Sequence, residues 1–78
     1  QGTVVDHRLI AKRALELLAT QVLMVHNHPS GDAEPSEADK ALTRKVAEAL
    51  ALFDIRLLDH VIISRNNEYS FRQAGLIG

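Results

Sequence analysis

Cysteine and tryptophan are absent from the 78-residue chain, and its only aromatic residues are one tyrosine and two phenylalanines. Without cysteine no disulfide can form, and a structural zinc site built on thiolates is excluded. Lack of disulfides is typical of proteins in a reducing compartment, so we expect a cytoplasmic location. Hydrophobic residues make up 46% of the chain, which predicts one small domain with an aliphatic core.

Long hydrophobic runs and an excess of positive charge are also missing. No apolar stretch is long enough to cross a membrane, and residues 1–10 lack the pattern of a signal peptide, so we expect no membrane association. The formal net charge is -1, whereas sequence-independent nucleic-acid binding depends on clustered lysine and arginine. Direct binding to nucleic acid is therefore not expected.

Two stretches have the residue spacing of amphipathic helices. One helix is predicted to begin at Asp6, a residue type that favours the N-cap position, and a second to span about residues 37–52. The predicted buried residues are Ile10, Ala14, Leu17 and Leu18 in the first helix, and Ala38, Leu42, Val46, Ala49 and Leu50 in the second. The polar side of the second helix carries Lys40, Arg44 and Lys45. A solvated face is the ordinary interpretation of these basic residues, and contact with a phosphate or an acidic partner is the alternative.

Strands are predicted at three places. The apolar run over residues 22–25 is typical of a buried strand, expected over about residues 21–26. Residues 57–64 favour a second strand, and residues 68–71 favour its hairpin partner across a turn at Asn66-Asn67. We expect Phe53 to pack where the second helix ends.

The run from His26 to Asp39 concentrates reactive side chains. Residues two apart in a strand point the same way, so His26 and His28 are expected to leave the strand on one side. Two prolines and a glycine keep the next segment irregular, and Ser36 begins a helix whose first turn holds Asp39. Zinc accepts two imidazoles and one carboxylate, and catalytic zinc typically has three protein ligands and one position for water. The set therefore favours an open, water-bearing site, provided that an ion binds.

Each residue of this run also has an ordinary structural interpretation. Histidines at a strand end are often solvated, and Ser36 as an N-cap would accept a hydrogen bond from the backbone near Asp39. Asp32 and Glu34 are most simply turn residues. Asn27 is a candidate for orienting a histidine through a second hydrogen bond, which ligating imidazoles usually have.

The spacing His26-x-His28-x7-Ser36-x2-Asp39 resembles the JAMM motif of the MPN-domain metalloproteases. The letters HNHPSGDAEPSEAD resemble more narrowly the bacterial RadC family. The likeness covers nearly the whole chain, including the letters RALEL in the first helix and LDHVII after the second. We interpret residues 1–78 as one RadC-like MPN domain, with the JAMM motif over residues 26–39.

The resemblance implies an α/β fold of the MPN, or cytidine-deaminase-like, type: a mixed sheet flanked by helices, with one helix before the histidine strand and one after the loop. It implies that His26, His28 and Asp39 are zinc ligands and that Ser36 is a catalytic hydroxyl that steadies the developing oxyanion. The implied reaction is attack of zinc-activated water on a peptide or isopeptide carbonyl of a protein substrate.

One part of the family pattern is missing. MPN metalloproteases take a proton from the zinc-bound water with a glutamate on a strand before the histidine pair, but only Asp6 and Glu16 precede His26 here. We interpret the chain as the C-terminal part of a longer domain, truncated at its N-terminus. Truncation would leave an exposed sheet edge through which a homo-oligomer could form. Because a general base is worth about 10²- to 10⁴-fold in rate, such a fragment is expected to bind zinc and turn over poorly.

Two other functions compete with a hydrolase. A non-catalytic metal-binding or scaffold protein associated with DNA repair, the process historically linked to the RadC name, would keep the motif without using it. An HNH nuclease is rejected, because the three residues of that motif are spread over a ββα unit. The roles of His7 and His60 are left open. His7 is most simply solvated, and His60 is most simply half-buried in its strand.

Overall fold

The computed structural model describes residues 5–77, which form a three-stranded sheet with two helices. In chain order the elements are α1 (His7–Glu16), β1 (Gln21–Asn27), α2 (Glu37–Ala51), β2 (Arg56–Ile63) and β3 (Glu68–Ser70). The strand order is β1-β2-β3, with β1 parallel to β2 and β3 antiparallel to β2. The predicted mixed sheet, with one helix on each side of the histidine strand in sequence, is confirmed.

No helix in this part of the chain is long and apolar enough to cross a membrane. The cytoplasmic location stays a prediction.

Helix α1 begins at the predicted N-cap. The carboxylate of Asp6 accepts a hydrogen bond from the backbone N–H of Arg8 at 2.8 Å, and its other oxygen lies 2.8 Å from the Arg8 guanidinium. The side-chain hydrogen bond with Arg8 is the main cause that lowers the pKa of Asp6 to about 2. Asp6 is therefore engaged in starting the helix.

The end of α1 corrects one part of the predicted core. Leu17 and Leu18 were expected on the buried face, but they are 61% and 86% exposed. The helix ends at Glu16, and Leu18 adopts a left-handed backbone conformation with φ 53°. The N–H of Ala19 then bonds to the carbonyl of Ala14 at 2.9 Å. This reversal turns both leucines away from the helix face.

Helix α2 ends by a similar reversal, in which Asp54 has φ 59°. Phe53 lies in that reversal and is 49% exposed, so the expectation that it packs at the helix end was wrong. Ala38 was also predicted to be buried and is exposed, because it lies on the first turn of α2 at the wall of an open cavity rather than in the core.

The main core lies between the helices and the sheet. It joins residues of α1, of α2, of the start of β2 and of the position just before that strand: Ala11, Ala14, Val46, Leu50, Ile55 and Leu57. A smaller cluster of Ala33, Ile62 and Phe71 fixes the loop after β1 against β2 and the segment after β3. The loop that carries the histidine motif is therefore anchored by burial as well as by hydrogen bonds.

Strand β1 lies at one edge of the described sheet, because it pairs with β2 alone. The prediction of a buried strand was wrong here, because one face of β1 is uncovered: every second residue is exposed, and Leu23 and Val25 are 57% and 61% exposed. A free edge with apolar residues is a place where a further strand can add. The homo-oligomer through this edge stays a prediction.

The segment after β3 is tied to the sheet by one carboxylate. Asp59 accepts hydrogen bonds from the Ser70 hydroxyl and from the backbone N–H groups of Arg72 and His60, the last two at 3.0 and 2.7 Å. Burial opposes its negative charge, but these hydrogen bonds hold the pKa of Asp59 below its ordinary value of 3.8.

We expect Asp59→Asn to lower the free energy of unfolding by about 1–3 kcal/mol, since hydrogen bonds to a charged acceptor are worth about this much. The folded pKa lies below the ordinary value, so the stabilisation is complete above pH 3.8 and is lost as the pH falls through the folded pKa. Urea unfolding at pH 7, 5, 4 and 3 measures both effects. Equal stability of the two proteins at pH 7 would contradict the assignment.

Candidate metal centre

The two histidines at the end of β1 meet the first turn of α2. The Nδ1 atom of His26 lies 3.6 Å from Oδ1 of Asp39, and Nε2 of His28 lies 3.2 Å from Oδ2 of the same carboxylate. The two imidazole rings cross at 86° with centroids 4.7 Å apart. One ligand atom from each of the three residues lies within 4.8 Å of the others. The structure thus brings together the three predicted ligands, although His28 and Asp39 are 11 positions apart.

Asp39 is held in place by a capping box at the start of α2. The Ser36 hydroxyl accepts a hydrogen bond from the backbone N–H of Asp39 at 3.0 Å, and Oδ2 of Asp39 accepts one from the backbone N–H of Ser36 at 2.9 Å. The predicted N-cap role of Ser36 is confirmed. Because the hydroxyl oxygen accepts here, its proton stays available to donate to another group.

The charge on Asp39 is stabilised by the same contacts. Burial opposes ionisation, yet the hydrogen bonds from Ser36 and the nearby His26 and His28 hold the pKa of the carboxyl below its ordinary value. The carboxylate is therefore ionised at neutral pH and faces two imidazole nitrogens.

His28 has an acceptor on each side of its ring. Its Nδ1 lies 3.2 Å from the backbone carbonyl of Asp32, and its Nε2 lies 3.2 Å from the carboxylate of Asp39. A neutral imidazole carries one N–H, so either tautomer leaves one nitrogen lone pair facing an oxygen lone pair. A second proton on the ring, or a cation bound at Nε2, removes this conflict. The donor set therefore fits a positive charge between His28 and Asp39.

The two histidines approach different oxygens of one carboxylate, at 3.6 Å for His26 and 3.2 Å for His28. His26, His28 and Asp39 are therefore compatible with a metal ion, whose identity the geometry leaves open.

His60 lies behind the cluster and is only 1% exposed, so the expectation of half-burial was wrong. Register explains the burial: His60 pairs with Met24 of β1, and its ring stacks between those of His26 at 5.8 Å and Phe71 at 4.6 Å. Burial, followed by the charge of His26, lowers the pKa of His60. Its ring is therefore neutral at pH 7.

The tautomer of His60 follows from Thr43. The Thr43 hydroxyl donates to the backbone carbonyl of Asp39 at 2.7 Å, so its oxygen must accept from Nδ1–H of His60, also at 2.7 Å. This leaves Nε2 of His60 as a buried acceptor without a hydrogen-bond donor in residues 5–77. These two hydrogen bonds connect His60 of β2 to the first turn of α2 through Thr43.

A cavity of about 670 Å³ opens beside the cluster. His26, Asp39 and His60 lie in its wall, and the other lining residues are aliphatic. The centre therefore has polar ligand atoms at one side of an apolar cleft, which is a common arrangement for a binding site.

The remaining acidic and polar candidates lie outside the cluster. The Asp32 side chain accepts from the backbone N–H of Glu34 at 3.0 Å, as expected of a turn residue. Ser30 likewise bonds within the turn, to the backbone of Asp32. Asn27 makes no side-chain hydrogen bond in residues 5–77. The partner that orients His28 is the Asp32 carbonyl instead.

Comparison with known proteins decides the family. The family model described as a RadC-like JAB domain matches residues 1–76. The chain belongs to this family. The RadC-like domain is similar to the UPF0758 protein RSc2444 of Ralstonia nicotianae, with 49% identity over 96% of this chain and 35% of the relative.

Two further relatives give the same result. The UPF0758 protein of Thiobacillus denitrificans is 56% identical over 94% of this chain and 33% of its own length. UPF0758 protein YfjY of Escherichia coli is 48% identical over 97% of this chain and 48% of its own length. The RadC-like chain thus spans between about a third and about half of these relatives.

Sequence reasoning missed two parts of the centre. Thr43 follows Asp39 by four positions on α2, so it lies on the same helix face, and that spacing was a usable signal. The carbonyl of Asp32 left no signal, because a backbone group carries no residue identity.

We expect Ser36→Ala to lower the free energy of unfolding of the RadC-like domain by about 1 kcal/mol, since it removes the N-cap of α2. Ser36→Thr keeps an acceptor oxygen and serves as the matched variant, with a loss of only a few tenths of a kcal/mol. Urea denaturation followed by circular dichroism measures both. A Thr variant as unstable as the Ala variant would argue against the cap.

Proposed function

We propose that the RadC-like domain is a zinc-dependent hydrolase centre for peptide or isopeptide bonds, with His26, His28 and Asp39 as the three protein ligands. The supporting observation is the meeting of two imidazoles and an ionised carboxylate at 3.2 and 3.6 Å, with each neutral tautomer of His28 in conflict with one neighbour. Three ligands leave a fourth position of a tetrahedral ion open.

Zinc held in this way supplies a water of lowered pKa and a Lewis acid for a carbonyl oxygen. The chain's own residues have separate tasks. His28 presents Nε2 while the Asp32 carbonyl fixes Nδ1–H, and Asp39 supplies negative charge while its other contacts keep it in the cap of α2. The Ser36 hydroxyl, whose oxygen accepts from Asp39 N–H, would donate a hydrogen bond to the developing oxyanion.

The apolar cleft beside the ligands supports a peptide substrate. Its aliphatic wall on α1, β1 and α2 suits an apolar side chain next to the bond that is cleaved, with the carbonyl directed at the ligand atoms.

A general base is the part that no carboxylate before His26 supplies. Asp6 is paired with Arg8 at 2.8 Å at the start of α1, and Glu16 lies 3.5 Å from Arg13 at its end. Proton transfer by a positioned base is typically worth about 10²- to 10⁴-fold in rate. We therefore propose that this segment binds zinc but hydrolyses poorly without a glutamate supplied by an upstream segment.

The missing general base also favours a second function, a metal-binding scaffold that does not catalyse. Such a protein would use the zinc centre for structure or for partner binding, including an association with DNA-repair proteins. The net charge of -1 weighs against direct contact with DNA.

Metal analysis tests the ligand set. We expect the purified protein to bind about one zinc, and His26→Ala to lose most of it, because one of three ligands is removed. His7→Ala is the matched control, since His7 lies on α1 away from the cluster, and it should bind as the parent does. Equal zinc content in the parent and His26→Ala would exclude the site.

Peptide cleavage separates the enzyme from the scaffold. Joined to an upstream segment that carries the family's glutamate, the domain is expected to cleave a peptide library, and a chelator should abolish the cleavage. In that protein Ser36→Ala is expected to lower the rate by about 10²- to 10³-fold, far more than its loss of stability explains. Cleavage that is absent or indifferent to the chelator would favour the scaffold.

A further inference from the structure

The loop that fixes His28 is itself held by the turn between β2 and β3. The site loop, residues 28–36, lies against the asparagine turn, residues 64–67. Asn67 accepts through Oδ1 from the backbone N–H of Ala33 at 3.1 Å, and Asn66 donates through Nδ2 to the carbonyl of Gly31 at 3.2 Å. The backbone N–H of His28 bonds to the carbonyl of Ile63, which precedes the turn, at 2.9 Å.

These contacts enclose the one carbonyl that orients His28. Asp32 lies between Gly31 and Ala33, and its carbonyl is 3.2 Å from Nδ1 of His28. The two asparagines bind the residues on either side of Asp32, and together with the Ser30 hydroxyl, which donates to the Asp32 carbonyl at 3.3 Å, they fix the position of that carbonyl. Ala33 is fully buried, and its N–H would lack this acceptor if Asn67 lost its side chain.

The asparagine turn is itself arranged to make these contacts. The Ser64 hydroxyl accepts from the backbone N–H of Asn67 at 3.2 Å and donates to Oδ1 of the same residue. Two donors, the Ser64 hydroxyl and Ala33 N–H, therefore point at one oxygen, which identifies it as the oxygen of the amide. At Gly31 a Cβ atom would lie 2.6 Å from Nδ2 of Asn66, so the close approach needs a glycine there.

We infer that Asn67, with Asn66, is a positioning residue of the metal centre. Through Ala33 and the Asp32 carbonyl it fixes the direction of the His28 ring, so that Nδ1–H has an acceptor when a cation occupies Nε2. The inference rests on the proposed metal site for its effect on affinity, while its effect on the orientation of the His28 ring is independent of metal.

The first test is metal affinity. Cobalt(II) titration, followed by visible absorbance, is expected to show about tenfold weaker binding for Asn67→Ala, the lower end of the 10- to 100-fold range for residues that orient ligands. Asn67→Asp keeps an oxygen acceptor for Ala33 N–H and should restore most of the affinity. Arg65→Ala is the control, since Arg65 is an exposed residue of the same turn and makes no side-chain hydrogen bond in residues 5–77.

The second test measures the orientation of the His28 ring in metal-free protein. Coupling constants and nuclear Overhauser contacts at pH 8 are expected to show one fixed orientation of the His28 ring in the parent protein and averaging over several orientations in Asn67→Ala. A merely structural role of Asn67 would change the unfolding midpoint and leave this signature unchanged. Asn66→Ala, which removes only the bond to Gly31, takes the place of Asn67→Ala if the latter does not fold.

The outcomes are distinguishable. A folded Asn67→Ala that binds cobalt as the parent does and keeps one His28 ring orientation overturns the inference. A parent protein that binds no cobalt overturns the proposed metal site instead, and the ring-orientation spectra then decide on Asn67 alone. Weaker binding and an averaged ring orientation in Asn67→Ala, with recovery in Asn67→Asp, support it.

Discussion

The centre depends on one carboxylate that serves two structures at once. Asp39 closes the capping box of α2 and faces the nitrogens of His26 and His28. The carboxylate faces one nitrogen of each imidazole, so a cation bound there would interact with all three groups at once. The helix cap keeps the carboxylate there, because withdrawing it would expose the backbone N–H of Ser36.

The fold supplies this geometry through a crossover between parallel strands. β1 ends at the edge where α2 begins, so a strand terminus and a helix N-terminus come together after a loop of nine residues, 28–36. The N-terminus of α2 carries partial positive charge and favours a carboxylate in its first turn. The end of β1, the loop and the start of α2 thus bring the three candidate ligand atoms together within residues 26–39.

The sequence predicted what depends on local rules. The helical spacing of apolar residues predicted both helices, strand alternation placed His26 and His28 on one side, and Ser36 predicted the N-cap of α2. Burial of Leu17 and Leu18 was predicted wrongly because a helical pattern continues in the letters after the chain has reversed. The left-handed conformation of Leu18 is unusual for a leucine, so residue type gave no signal for the reversal.

The depth of His60 and the bracing of the site loop escaped prediction for another reason. Both depend on strand register and on contacts between residues more than 30 positions apart in the chain, such as Asn67 and Ala33. A single sequence holds no record of such pairings. The ligand triad was predictable because its members are close in the chain, and its supports were not because they are distant.

That difference in sequence separation bears on how the domain folds. The ligands span only residues 26–39, and α2 and the end of β1 close a short loop, whereas the hairpin turn reaches the site loop across 34 and 35 positions of the chain. Short loops cost less entropy to close than long ones. The ligand triad can therefore assemble early during folding, and the imidazole of His28 acquires its fixed orientation only when the last hairpin docks.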